Sequence, residues 1–310
     1  MSYSERMKAR GKDHSACSGC SLCLLSCPVW RQTGDIRLTP HGRAKAMQHG
    51  AGAAELARSV GACTLCGACE PACPEGIPLV ELVLELRRRQ PLAAVRLDAP
   101  ARPSPQSSAL LVAGRALRGA RRARTAELLG CAVSGDDGAD VSMALEAGAA
   151  LPADRRKAFL AALHGARTLV VADGLLLRSL RAWLPGVQVR SLGEALTELD
   201  AVRLKLRGSD LYVIEPRAFN GDHARLLGHY DRLQRSTGCT TSLDLQRIAV
   251  PTAANAAQHA LGLAGIDPVA QARWIVEGRR FERVVVEDAA DCAAFAAATD
   301  RPVVHLADLA

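Results

Sequence analysis

The chain has 310 residues, of which 49% are hydrophobic and 3% aromatic, and its 39 Lys and Arg against 32 Asp and Glu give a formal charge of +7. That length allows two or three domains, each with its own core, while the apolar runs are broken by Arg, Glu or Asp before they reach a membrane span, which excludes a transmembrane helix. Aromatic side chains are too few for a stacking platform on single-stranded nucleic acid, so no nucleic-acid partner is expected. The opening MSYSERMKARGKDHS is charged and polar, with none of the apolar stretch of a secretory signal. The expectation is a cytoplasmic protein, in a compartment where thiols stay reduced and clustered cysteines bind metal.

The first element is a cysteine loop. CSGCSLCLLSCP, residues 17–28, carries Cys17, Cys20, Cys23 and Cys27 and then Pro28. A segment of 35 residues follows, in which Thr39 suits a helix cap, Pro40 the first helical position, and Ala44, Met47, Leu56 and Val60 an apolar face. Gly50 to Gly52 should divide it into two short helices. CTLCGACEPACP, residues 63–74, then repeats the cysteine spacing with Cys63, Cys66, Cys69 and Cys73. Next, IPLVELVLELRRRQ places Leu79, Leu82, Val83 and Leu86 on one helical face, with a solvated face expected for Arg87, Arg88 and Arg89.

The repeated C-x2-C-x2-C-x3-C-P spacing is that of cubane iron–sulfur sites, in which three thiolates of a run hold one cluster and the fourth reaches the other. Two [4Fe-4S] clusters are therefore expected, one on Cys17, Cys20, Cys23 and Cys73, the other on Cys63, Cys66, Cys69 and Cys27. Gly19, Gly67 and Ala68 leave the loop backbone open to the inorganic sulfides, and Pro28 and Pro74 turn the chain after each fourth cysteine. Zinc also takes C-x2-C units, but tetrahedral sites draw one pair from each of two separated segments. Two oxidised cubanes with their thiolates would lower the net charge from +7 to roughly +3, a balance compatible with docking on an acidic protein surface.

Residues 91–107 contain four prolines and read as a linker. Beyond them, ALLVA (109–113), TLVVAD (168–173), LYVIEP (211–216), RIAVP (247–251), RVVVED (283–288) and PVVHL (302–306) read as strands between Ala- and Leu-rich helices. GARTLVVADGLLLRSL (165–180) aligns with RFERVVVEDAADCAAF (280–295), which implies a duplication. The fold class expected is α+β multidomain: a mainly helical two-cluster ferredoxin domain over 1–90, the linker over 91–107, and two α/β lobes over 108–203 and 204–310.

The two cysteine motifs, the LTPHGRAKAM insert and the IPLVELVLELRRR helix resemble the iron–sulfur subunits of glycolate oxidase, lactate utilisation, anaerobic glycerol-3-phosphate dehydrogenase and heterodisulfide reductase, over residues 14–90. More distantly, the helical cluster domain resembles that of succinate dehydrogenase and fumarate reductase. In that group the domain is often followed by two lobes of a module marked by Cys-Cys-Gly and Cys-x-x-Cys. The duplicated lobes are similar to that module without its marks: only Cys131, Cys239 and Cys292 remain, Gly174 and Leu177 or Ala289 and Cys292 stand where Cys-x-x-Cys is implied, and Arg115 and Arg217 stand near the implied early cysteines. A degenerate module that kept its fold and lost its metal is the expectation.

No P-loop, GxSxG elbow, HExxH or strand-to-helix GxGxxG occurs, and no catalytic residue is assigned. The reading is an electron-transfer subunit. It would take electrons from a flavoprotein dehydrogenase or other redox subunit and pass them to a quinone-linked or further acceptor, reaching the inner membrane only through a partner. The alternatives are thiol or disulfide chemistry in the C-terminal module, through Cys292, and a structural or regulatory protein stapled by its clusters.

Overall fold

The computed structural model describes residues 12–98, 103–263 and 265–310. The N-terminal part is helical: α1 (Leu22–Leu25), α2 (Pro28–Thr33), α3 (Pro40–Gln48), α4 (Ala57–Ala62) and α5 (Leu79–Arg89). Thr39 caps α3 by accepting from the Gly42 amide, with Pro40 at the first position. The Gly50 to Gly52 stretch separates α3 from α4, as the sequence suggests. Leu79, Leu82, Val83 and Leu86 of α5 enter a core with Leu56, Val60, Leu65 and Ile77.

Two parallel sheets follow. The first comprises β1 (Ala109–Val112), β2 (Ala132–Val133), β3 (Thr168–Val171) and β4 (Gln188–Ser191), in the order β2-β1-β3-β4. It is joined by α6 (Gly119–Leu128), α7 (Ala139–Ala147), α8 (Ala153–Ala162) and α9 (Gly174–Trp183), and followed by α10 (Leu192–Thr197) and α11 (Asp200–Arg203). The second comprises β5 (Asp210–Val213), β6 (Thr240–Thr241), β7 (Arg283–Val286) and β8 (Val303–His305), in the matching order β6-β5-β7-β8. Its helices are α12 (Pro216–Gly221), α13 (His223–Thr237), α14 (Ala257–Ala260), α15 (Pro268–Val276) and α16 (Asp291–Ala296). The two sheets thus share one strand order. Each chain path leaves the first strand to one side and returns to the other, so a crevice opens at the carboxyl ends of β1 and β3, and again at β5 and β7.

Two expectations need correction. RIAVP is not a strand: it doubles back on the segment after β6 through an isolated antiparallel bridge between Leu243 and Ala249, and Ile248, Ala249 and Val250 are buried as irregular chain. Arg87 is not on a solvated face: it is 0% exposed, while Arg88 and Arg89 are exposed as expected. The proline-rich segment is also anchored where it is described, with the Leu92 amide on the Ala147 carbonyl and the Asp98 amide on Asp140.

Candidate iron–sulfur cluster site

The first cysteine loop is shaped by two left-handed residues, Gly19 at φ +85° and Ser21 at φ +63°, before α1 carries Cys23. Helix α3 holds it from below. Lys45 Nζ donates to the Cys17 carbonyl at 2.9 Å, and Gln48 Nε2 donates to the carbonyls of His14, Ser15 and Cys17. Cys20 is exposed. Burial pushes the Cys23 thiol up to about 12, with Cys27, Cys17, Cys73 and Cys20 adding to the effect, so three of those four neighbours are the partners the spacing assigns to it.

Cys27 ends its loop as the residue before α2, and it is buried. It lines a small cavity with Cys63, Cys66 and Cys69, closed by Pro28, Val29, Leu38, Arg43, Leu79 and Val80. The cavity thus brings the fourth cysteine of the first motif to the first three of the second. Burial raises the Cys27 thiol, which Arg43 partly offsets; it pushes Cys66 up to about 12 and Cys69 well above the ordinary thiol value. Thiols in such surroundings stay protonated until a metal supplies the opposite charge, because a coordinating thiol is deprotonated outright.

The second loop turns through Leu65 at φ +54° and Gly67 at φ +75°; a Cβ on Gly67 would stand 3.3 Å from Asn220 Cβ. Its carbonyls are gripped from α5 and the second lobe. Arg87 Nη2 donates to Cys63 at 2.5 Å, Arg217 Nη2 to Thr64 at 2.8 Å, Asn220 Nδ2 to Cys66 at 3.1 Å, and Gln258 Nε2 to Gly61 at 2.6 Å and Cys63 at 2.8 Å. Sequence reasoning missed Arg87, Asn220 and Gln258 as supports. For Arg87 a signal existed, since it lies four residues after Val83 on the apolar stripe of α5.

The residues fit cubane clusters. The donors are all sulfur, and the buried Arg43 lines the cavity they share. A four-iron cluster is the group that such a set of thiolates would hold. When bound, it supplies one-electron chemistry at a potential set by charge, hydrogen bonding and burial.

The remaining cysteines are not brought together. Cys131 lies after α6, Cys239 is buried beside α13, and Cys292 is in α16; burial raises all three thiols. Where the resemblance implies cysteines, the lobes meet in an ionic network. Glu146 is 0% exposed and accepts from Arg115 Nη2 at 2.5 Å, from Arg217 at 2.6 and 2.9 Å, and from the Ala257 amide at 2.6 Å. Burial alone would raise its carboxyl, but Arg217 and Arg115 hold it down to about 2.

Residues 13–77, which hold all eight of these cysteines, match the family described as a 4Fe-4S dicluster domain. Over 87 residues the chain is 37% identical to a subunit of the ferredoxin:CoB-CoM heterodisulfide reductase of Methanosarcina mazei, covering 26% of this chain and 49% of that protein. It is 43% identical over 77 residues to lactate utilization protein B of Macrococcus caseolyticus, covering 23% of this chain and 16% of the relative. A further 77-residue match, at 35% identity, is to the "Probable glycolate oxidase iron-sulfur subunit" of Bacillus subtilis, covering 23% and 17%. The chain therefore spans about half the length of the first relative and about one sixth of the others. No solved structure matches it.

Proposed function

We propose that this chain is an electron-transfer subunit of an oxidoreductase complex, holding one [4Fe-4S] cluster on Cys17, Cys20, Cys23 and Cys73 and a second on Cys63, Cys66, Cys69 and Cys27. The observation that carries the reading is the cavity where Cys27 joins Cys63, Cys66 and Cys69. Crossed sharing of the fourth cysteine sets two clusters side by side, which suits relay between partners better than a single structural staple. The relatives' names include a reductase subunit and an oxidase iron–sulfur subunit, which supports a redox complex as the setting. The donor is a flavoprotein dehydrogenase or another redox subunit, and the acceptor a quinone-linked or further redox protein. Among the described residues no helix is long and apolar enough to cross a membrane, so a membrane-held acceptor would be met through a partner.

The test is a low-temperature EPR redox titration of anaerobically purified protein, with iron and sulfide measured on the same sample. About eight irons and two interacting reduced signals are expected. Zinc in place of iron, or clusters silent across the range of flavins and quinones, would end the reading.

A further inference from the structure

The two cysteine sets stand in different electrostatic settings. Arg43 and Arg87 are 2% and 0% exposed, and among the described residues each donates only to neutral oxygens. Arg43 Nη1 reaches the Leu38 carbonyl at 3.0 Å, the Ser59 carbonyl at 2.9 Å and Ser59 Oγ at 3.2 Å. Arg87 reaches the carbonyls of Val60, Glu146 and Cys63. The Glu146 carboxylate is hydrogen-bonded by Arg115, Arg217 and the Ala257 amide, so Arg87 feels its charge only as one of three arginines around it. A buried cation without a counter-ion is costly. Both arginines meet the same neighbour: Arg43 lines the cavity of Cys27, Cys63, Cys66 and Cys69, and Arg87 holds the Cys63 carbonyl. The first set has Lys45, which is only part-buried, and the exposed Cys20.

We propose that Arg43 and Arg87 are positioning residues that supply the counter-charge of the second cluster and make it the higher-potential member of the pair. This rests on reading the eight cysteines as ligands of two cubanes. Reduction adds one electron from the redox partner, with no bond made or broken, so the reduced state carries one more negative charge. A fixed cation in a low-dielectric site stabilises that state more than the oxidised one. An electron that enters at the exposed first set then comes to rest at the second, beneath the lobes.

The experiment is an EPR-monitored dithionite titration of the iron-replete protein and its variants, with iron measured on each. Cys66→Ser should remove the wave at higher potential, and Cys20→Ser should disturb the lower one. Arg43→Gln should move the higher wave downward and leave the lower in place, while Arg43→Lys, which keeps the charge, should titrate close to the unaltered protein. If Arg43→Gln does not retain its iron, Arg87→Gln reads the same downward shift in the same wave. Two intact clusters whose waves move together or not at all, Arg43→Lys moving as far as Arg43→Gln, or loss of the higher wave in Cys20→Ser would overturn the assignment while leaving the carrier role standing. Absence of iron clusters from the unaltered protein would overturn both.

Discussion

Cys27 and Cys73 are the residues on which the proposed crossed arrangement depends, because in it each would leave its own loop for the other's cluster. Cys27→Ala should cost the second cluster and spare the first, and Cys73→Ala the reverse, each retaining about four irons; iron analysis with EPR of both variants checks this. If Cys27→Ala instead loses the signal that Cys17→Ala loses, the ligands are not crossed. Glu146 makes a different demand. With Arg115 and Arg217 on its two oxygens and no exposure, Glu146→Gln leaves buried cations short of their partner and should destabilise the protein by about 3–5 kcal/mol, read as a lowered midpoint in anaerobic chemical denaturation. The cysteines were legible because a ligand spacing repeats; Glu146 was not, because SMALEAG offers one acid on an ordinary helix, and its partners lie 31 residues upstream and 71 downstream.

At the scale of elements, local chemistry was legible wherever it stayed local. Thr39 and Pro40 start α3 as their residue types require, and Thr39→Ala should cost about 1 kcal/mol through the lost cap, measured by the same denaturation. Strands β1, β3, β7 and β8 fall within the apolar runs that mark them, and β5 starts one residue before its run. The two-residue edge strands β2 and β6 carry too little pattern to find, and RIAVP has the composition of a strand but is buried by covering one. Contact between elements sets a stricter rule at Gly148, at φ +72°, where a Cβ would stand 2.3 Å from the Arg87 carbonyl carbon. Gly148→Ala should part α7 from α5 and loosen the Arg87 grip on Cys63, seen as faster loss of iron to a chelator. Unchanged retention would mean that this packing does not support the loop.

The two sheets were legible over the whole molecule because apolar runs recur in both halves, but the way the cysteine domain is built against them was not, since Arg217, Asn220 and Gln258 lie more than 150 residues from the carbonyls they hold. The lobes also carry opposing pH responses. Glu146, held at about 2 against an ordinary 4.5, contributes stability that is present above 4.5 and lost as the pH falls towards 2. Burial pushes Glu215 up to about 8, with Asp288 adding to it, and Glu287 up to about 7. Their neutral forms are favoured in the folded protein while the unfolded chain ionises near 4.5, so the folded state binds more protons and stability falls as the pH rises from there through 7 and 8. Glu215→Gln, which stays neutral, should flatten that fall between pH 5 and 8 in anaerobic urea melts; parallel curves would refute the assignment. The grip on the second loop has a consequence for biosynthesis. The eight cysteines proposed as ligands lie within the first 73 residues, whereas Arg217, Asn220 and Gln258 are translated far later. A nascent chain halted before residue 217 presents the second loop without those three clamps, so its carbonyls are held only once residue 258 has been made.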